Sequence, residues 1–245
     1  MEDAGALLEN AARTASLRGI RRYTRFLDPA EAHGAAALAR RYGVALSLWG
    51  GHEGAERTVG CFHEPGDEPQ TAEYPVICLH ARCVQRFFSI SHRDLLGAFM
   101  ALGLTRDSVG DIILSDTDIF LFVCAAVADF AASSLTSAGK APLRFEALDE
   151  APAMPEPRGE AFSAVVSSLR LDAVLAAAYR LSRSEAAEAI RAGSVKLDFL
   201  PCERTDAPVG EGAMLSLRGR GRVRLDRIGG MTRKQRISVT FFRYE

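Results

Sequence analysis

The spacing of apolar positions changes along the chain, and each spacing predicts a different element. Residues 7–17 read as a helix, and a second helix opens at Asp28-Pro29-Ala30-Glu31. There Asp28 can cap, Pro29 suits the first helical position, and Glu31 completes a capping box. That helix should close near Tyr42-Gly43. Residues 44–49 and 57–62 read as short strands around the loop Gly50-Gly51-His52-Glu53-Gly54. Beyond a softer break at 64–75, residues 76–84 read as a strand. Residues 91–102 form an amphipathic helix with Leu95, Leu96, Phe99 and Leu102 on one face. Residues 111–114 and 119–124 read as strands joined by a tight turn, 125–137 as a helix ending before Gly139, and 143–148 as a last strand.

Strand, helix, strand, strand, helix, strand is the order of a ferredoxin-like sandwich, the split βαβ arrangement. Many RNA-binding domains use that fold and so do many other proteins, so the order alone assigns no function. The segment Asp149–Gly159 holds Pro152, Pro155 and Pro157 and reads as a linker. After it, Leu171, Val174, Leu175 and Ala178 form the apolar stripe of a short helix, with Arg170 at its start. Ser182-Arg183-Ser184-Glu185 is a capping box opening a second helix, which Gly193 is placed to end. Val195, Leu197 and Phe199 then alternate with Lys196 and Asp198, a half-buried strand with Lys196 pointing outward. Further on, Leu215 and Leu217 alternate with Ser216 and Arg218, and Val223 and Leu225 alternate with Arg222 and Arg224, on either side of Gly219-Arg220-Gly221. The expected fold class is α+β in three parts. These are a mixed helical segment over 1–70, a ferredoxin-like domain over 71–150 and a basic module over 158–245.

Charge sharpens that division. The net charge of the 245 residues is −1, yet residues 158–245 hold 16 Lys and Arg against 10 Asp and Glu, while residues 1–157 hold 14 against 21. Between Arg218 and Arg243 nine residues are basic and only Asp226 is acidic. A basic segment on an acidic body suggests that one part touches a polyanion while the rest does something else. Gly219 and Gly221 would let the backbone approach a ligand while Arg218, Arg220 and Arg222 reach phosphate oxygens. Arg183 and Ser184 fall in the first turn of a helix, whose free N–H groups favour an anion. No apolar run approaches the roughly 18 residues of a membrane span. The start of the chain lacks the features of a signal peptide, and five cysteines without framework spacing suit a reducing compartment. We therefore expect a cytoplasmic monomer with no membrane partner.

Other motifs are weaker. Cys61-x-His63 and Cys78-x-His80 each put two metal-ligand types on one strand face, with Cys83 nearby. No CxxC accompanies them, and their apolar neighbours suit buried structural cysteine, so no metal is expected. Ser91-His92-Arg93-Asp94 is spaced for helix capping, not for a triad whose groups converge from distant elements. The Gly50–Gly54 loop lacks the Lys-Ser/Thr of a phosphate loop, which leaves a turn or a protein-docking loop. Gly219-x-Gly221 precedes a strand, unlike a dinucleotide fingerprint. No set of residues supplies nucleophile, base and orienter, so neither catalysis, a cofactor nor a small-molecule substrate is expected.

Arg170-Leu171-Asp172, Ser182-Arg183-Ser184 with Ala187 and Ile190, and Gly193-x-Val195-Lys196-Leu197 resemble the S-four RNA-binding domain, over roughly 161–217. That resemblance implies that Arg170, Arg183, Ser184, Lys196 and Arg218 line an RNA face. The domain usually carries Asn where this chain has Asp198. Phe26-Leu27-Asp28-Pro29, Gly50-Gly51-His52-Glu53-Gly54-Ala55-Glu56-Arg57 and Ser91-His92-Arg93-Asp94-Leu95-Leu96-Gly97-Ala98 resemble the YlmH family, which often has an aromatic residue where this chain has His52. The likeness spans nearly the whole chain. It implies a helical start, an RNA-binding middle domain over 71–150 and this C-terminal module, in a protein that binds rRNA or tRNA on large ribosomal subunits obstructed by peptidyl-tRNA and supports alanine tailing in ribosome-associated quality control. A second reading stays open, since S-four modules also accompany pseudouridine synthases and methyltransferases. Against it, residues 1–157 show neither a methyl-donor glycine loop nor a synthase aspartate motif.

Overall fold

The computed structural model describes residues 4–83, 90–150, 152–155, 159–232 and 234–244. The chain divides into two compact units, Met1–Pro155 and Glu156–Glu245. Among the described residues there are six α-helices and four β-sheets, a mixed α/β architecture. None of the helices is long and apolar enough to cross a membrane.

The first unit runs α1 (Ala4–Arg18), β1 (Arg22–Leu27), α2 (Pro29–Tyr42), β2 (Ala45–Trp49), β3 (Thr58–His63), β4 (Val76–Arg82), α3 (His92–Ala101), β5 (Val109–Leu114), β6 (Asp118–Cys124), α4 (Ala125–Ser134), β7 (Ser137–Ala138), β8 (Ala141–Pro142) and β9 (Glu146–Leu148). Strands β1, β3 and β2 form an antiparallel sheet in that order. On one of its faces Leu27 and Phe62 meet Ala12, Ala15, Ala35 and Ala39 of the two helices, whose small side chains allow a close approach. Successive strand side chains face opposite ways. Phe26 and Cys61 therefore point from the other face, into a cluster with Tyr74, Cys78, Phe120 and Phe122.

That cluster belongs equally to a second sheet, of order β5-β6-β4-β9 with every neighbouring pair antiparallel. Leu79, Leu121 and Val123 point from its opposite face onto Leu95 and Phe99 of α3 and Ala128 and Ala131 of α4. Strands β4 and β6 are thus apolar on both sides. The Gly50–Gly54 loop is tied to this sheet by Asp111 on β5. Its carboxylate accepts the backbone N–H groups of Glu56 (2.7 Å) and Arg57 (3.0 Å) and lies 3.2 Å from His52 Nε2. His52 in turn packs on the Phe122 ring at a tilt of 35°, with ring centroids 4.7 Å apart.

The second unit runs β10 (Gly159–Val166), α5 (Leu171–Tyr179), α6 (Arg183–Arg191), β11 (Val195–Leu197), β12 (Leu200–Pro201), β13 (Met214–Leu217), β14 (Arg222–Met231) and β15 (Ile237–Tyr244). Its sheet has the order β10-β15-β14-β13-β11-β12. The two helices pack on one face through Leu171, Val174, Leu175, Ala186 and Ile190, against Val195, Leu215, Val223, Leu225 and Phe241.

Several expectations need correction. The segment before Asp28 is a strand, β1. The helix predicted over 125–137 ends at Ser134, and β7 and β8 form a small hairpin before the last strand, which begins only at Glu146. Phe199 does not continue β11, because Asp198 and Phe199 both have positive φ (48° and 68°) and form the tight turn into β12. The Asp198 carboxylate accepts the Met214 N–H at 2.8 Å, a polar tie for the turn. The predicted linker is shorter than expected. Gly159 already pairs with Tyr244 at the start of β10, and Met154 packs on the aromatic cluster of the first unit. Ala151 and residues 156–158 of that segment lie outside the described residues, as do residues 84–89, the first of which is the last residue of the strand predicted over 76–84.

Candidate nucleic-acid interface

The two helices of the second unit are set by local signals. Arg180 closes α5 in the left-handed region (φ 55°), and its N–H donates to Ala176 O. Two residues later Ser182 caps α6. Its Oγ accepts the Glu185 N–H at 3.2 Å, and its own N–H donates to Glu185 Oε2 at 2.7 Å. These bonds, helped by the positive charge of Arg220, hold the Glu185 carboxyl below its usual value. Arg183 is the first residue of α6, as expected, but its guanidinium does not turn to the free N–H groups of the helix. It donates instead to Asp172 Oδ2 at 2.8 Å.

Asp172 is the organising residue of this corner. It sits in the first turn of α5, is only 8% exposed, and receives Arg170 Nε on its other oxygen at 3.4 Å. Burial works against its ionisation, but the hydrogen bonds and charges of Arg183 and Arg170 outweigh it and keep the carboxyl below the usual range. One buried anion therefore aims two guanidiniums that are themselves about half exposed, 48% for Arg170 and 54% for Arg183. Ser184 is exposed beside them, its hydroxyl 3.0 Å from that of Ser182.

Tyr179, the last residue of α5, fixes the glycine turn. Its hydroxyl donates toward Leu215 O (3.1 Å) and Gly221 O (2.9 Å), and burial pushes its pKa up to about 12. Gly219 and Gly221 both have positive φ, 77° and 74°, and nothing lies near where a side chain would go. Glycine is needed there for backbone conformation, not for space. Arg218 and Arg220 are exposed in this turn. The Arg218 backbone N–H donates to Ser194 O, and Arg220 Nη1 donates to Tyr179 O at 3.4 Å.

Lys196 and Arg222 occupy a different place. Lys196 lies opposite Ser216, and Ser216 opposite Arg222, so the three form one row across β11, β13 and β14. They alternate with Val195, Leu215, Leu217 and Val223 of the core. The row therefore projects from the sheet face opposite the helices. Next to it Arg224 donates to Tyr244 Oη (3.0 Å) and pairs with Asp226. Its guanidinium lies over the Phe242 ring, and that of Arg222 over the Tyr244 ring (5.6 and 5.5 Å to centroids). The predicted residues thus fall into two clusters, a helix-start corner with the glycine turn and a sheet-face row. Asp172 and Arg224 stood in the quoted motifs without a site role, and Tyr179, Phe242 and Tyr244 were missed by sequence reasoning. The Asp172 side chain and the alternation around Arg224 were the only local hints of their roles.

The chain is 39% identical over 221 residues to "Ribosome-associated protein quality control protein P2" of Bacillus subtilis (strain 168), covering 90% of this chain and 86% of that protein. The chain belongs to the YlmH family. The family described as "Putative RNA-binding domain in YlmH" matches residues 69–151, which contain β4 to β9. A solved structure of "Cell division protein ylmH from Streptococcus pneumoniae" superposes with a TM-score of 0.51 at 18% identity, over 59% of this chain and 88% of that one, a likeness of fold.

Among the described residues no group of three or more His, Cys, Asp or Glu could hold a metal. Cys61 and Cys78 lie in the aromatic cluster, and burial pushes both thiols up, Cys78 to about 11. His63 is occupied by Ser47 Oγ at 2.8 Å and Glu64 O at 2.8 Å, and His80 by Asp118 at 2.8 Å.

Proposed function

We propose that this protein is a non-catalytic RNA-binding factor that works on the ribosome in the cytoplasm. In this reading the second unit is an S-four-type module that grips structured rRNA or tRNA. The first unit combines a mixed helical segment with a ferredoxin-like domain, whose strand order β9-β4-β6-β5 suits that fold. The target is the large subunit obstructed by peptidyl-tRNA, and the role is support of ribosome-associated quality control. The name of the Bacillus subtilis relative supports the ribosomal setting.

The observation that carries the reading is the Arg170–Asp172–Arg183 clamp. A guanidinium held in place loses little freedom when it meets a phosphate, and its planar donor fork matches phosphate oxygens. Ser184 and the Arg218–Arg220 turn add donors and charge. Lys196 and Arg222 provide a second cationic row, so the module can meet two backbone segments of a folded RNA. Sedimentation of cell lysate through a gradient tests this. Wild-type protein should travel with large subunits, and Arg170→Glu with Arg183→Glu should shift it to the top while it stays folded. If the double variant still co-sediments as wild type does, the clamp is not the docking surface.

A further inference from the structure

The first unit contains a groove of about 810 Å3, built wholly from its own residues. Trp49, at the end of β2, and the Gly51–Glu53 loop form one wall. Tyr74, Val76 and Cys78 form the floor where the chain runs into β4, and Leu148 to Glu150 with Pro152 to Met154 form the other wall. Trp49, Tyr74, Val76, Leu148 and Met154 all pack on the aromatic cluster between the two sheets, so the groove is a continuation of a fixed core. The loop wall is equally fixed, because His52 lies 3.2 Å from Asp111 and packs on the Phe122 ring.

The chemistry of the lining is one-sided. Its aromatic side chains are Trp49, half-buried, and Tyr74, buried beneath it at 7% exposure, and it contains no lysine or arginine. Three exposed carboxylates stand around it, Glu53, Asp149 and Glu150, and none has a cationic partner among the described residues. Aromatic faces attract cations, and unpaired carboxylates in the same concavity focus the same sign of potential. A nucleic-acid strand would bring its phosphates against three uncompensated negative charges. The volume falls in the range of about 300–1,000 Å3 typical of pockets that enclose a few side chains or a small ligand.

We propose that this groove binds a lysine- or arginine-bearing peptide segment of a basic partner protein. One cationic side chain lies against Trp49, and the carboxylates of Glu53, Asp149 and Glu150 hold its charge and that of its neighbours. This groove gives the first unit a protein-docking function separate from RNA binding. The selectivity is electrostatic and aromatic together, so a neutral peptide of the same length is a poor ligand.

Trp49 is the only tryptophan of the chain, so its emission reports directly from the groove. The probe is a blocked six-residue peptide alternating glycine with arginine, titrated into the full-length protein. The controls are the same peptide with glutamine for arginine, and a short oligouridylate. We expect a saturable change in Trp49 emission with the arginine peptide and little with either control. Glu53→Gln, Asp149→Asn and Glu150→Gln together should weaken the arginine peptide at least tenfold without altering the melting curve, since all three side chains are exposed. No saturable response to the arginine peptide, an equal response to the glutamine peptide or to oligouridylate, or an unchanged affinity in the triple variant would each overturn the proposal. The comparison of peptides on wild-type protein decides the matter even if the triple variant is unstable.

Discussion

Replacing Asp172 by Asn removes one charge and nearly keeps the shape, and it separates two views of the clamp. The carboxylate is 8% exposed and holds Arg183 at 2.8 Å and Arg170 at 3.4 Å. A hydrogen bond to a charged group contributes about 1.5–3 kcal/mol where it is sheltered. Exposed ion pairs contribute only about 0.2–1 kcal/mol. Because the arginine side chains are 48% and 54% exposed, solvent screening pulls the pair toward the lower range. We expect Asp172→Asn to destabilise the second unit by about 1 kcal/mol after that discount. In a unit of this size the loss corresponds to a drop of about 4–8 °C in Tm, measurable by scanning calorimetry. The folded-state pKa of Asp172 lies below its unfolded value. Its contribution is therefore complete above the unfolded pKa and is lost as pH falls through the folded one, so the gap between the two proteins should close in acid. RNA binding gives the sharper test. By charge alone the variant should bind more tightly, since an anion beside two guanidiniums has gone. If the clamp positions those guanidiniums, binding should weaken despite the gained charge, and a loss of about 1 kcal/mol is roughly fivefold in Kd. Fluorescence anisotropy with a labelled tRNA measures this. Equal or tighter binding by Asp172→Asn would refute the positioning role.

Other expectations follow from the same structure. If the basic clusters neutralise about five to eight phosphates, log affinity should fall with log salt at a slope of about −4 to −7, and a flat response would remove the arginines from the binding surface. Gly51→Ala should destabilise the first unit by about 1–3 kcal/mol. A Cβ there would come within 2.4 Å of the Phe122 ring at a φ of +96°, so an unchanged melting temperature would contradict the described loop. Cys78, with its thiol buried and raised to about 11, should resist iodoacetamide at pH 8 in the native protein and react on unfolding, as mass spectrometry can follow.

The elements that were legible in the sequence are those whose cause is local. The capping boxes at Asp28, Ser91 and Ser182 all form, because a cap needs only the residue three positions on. Strand β1 was not legible. Its buried residues are only Phe26 and Leu27 at one end, and a register shift after Tyr23 breaks the alternation. Strand β10 does alternate, with Phe162, Ala164 and Val166, but it directly follows a proline-rich stretch and contains few strong strand formers. Arg183 and Lys196 were each assigned an outward position, and both are exposed. That they sit on different faces could not be read from sequence, because the Lys196–Ser216–Arg222 row depends on the pairing of three strands. The clamp was hidden for the same reason. Asp172 and Arg183 are 11 residues apart and meet only because α5 and α6 turn sharply at Arg180.

The arrangement of the first unit also limits how it can touch RNA. Single-strand-binding sheets commonly use aromatic side chains on an open sheet face to stack bases. In the β5-β6-β4-β9 sheet those positions hold Phe120 and Phe122, which are 8% and 0% exposed because β1 and β3 pack over them with Phe26, Val59 and Cys61. Opening that face would expose two phenylalanines, each contributing about 1.5–3 kcal/mol by its burial. Base stacking returns about 1–3 kcal/mol per base, so the exchange gains nothing. Phe120→Leu should therefore lower the melting temperature of the first unit while leaving affinity for RNA unchanged. A tenfold loss of RNA affinity in this variant, with the fold retained, would mean that the face opens to stack bases, and the cationic clusters of the second unit would then not be sufficient to account for binding.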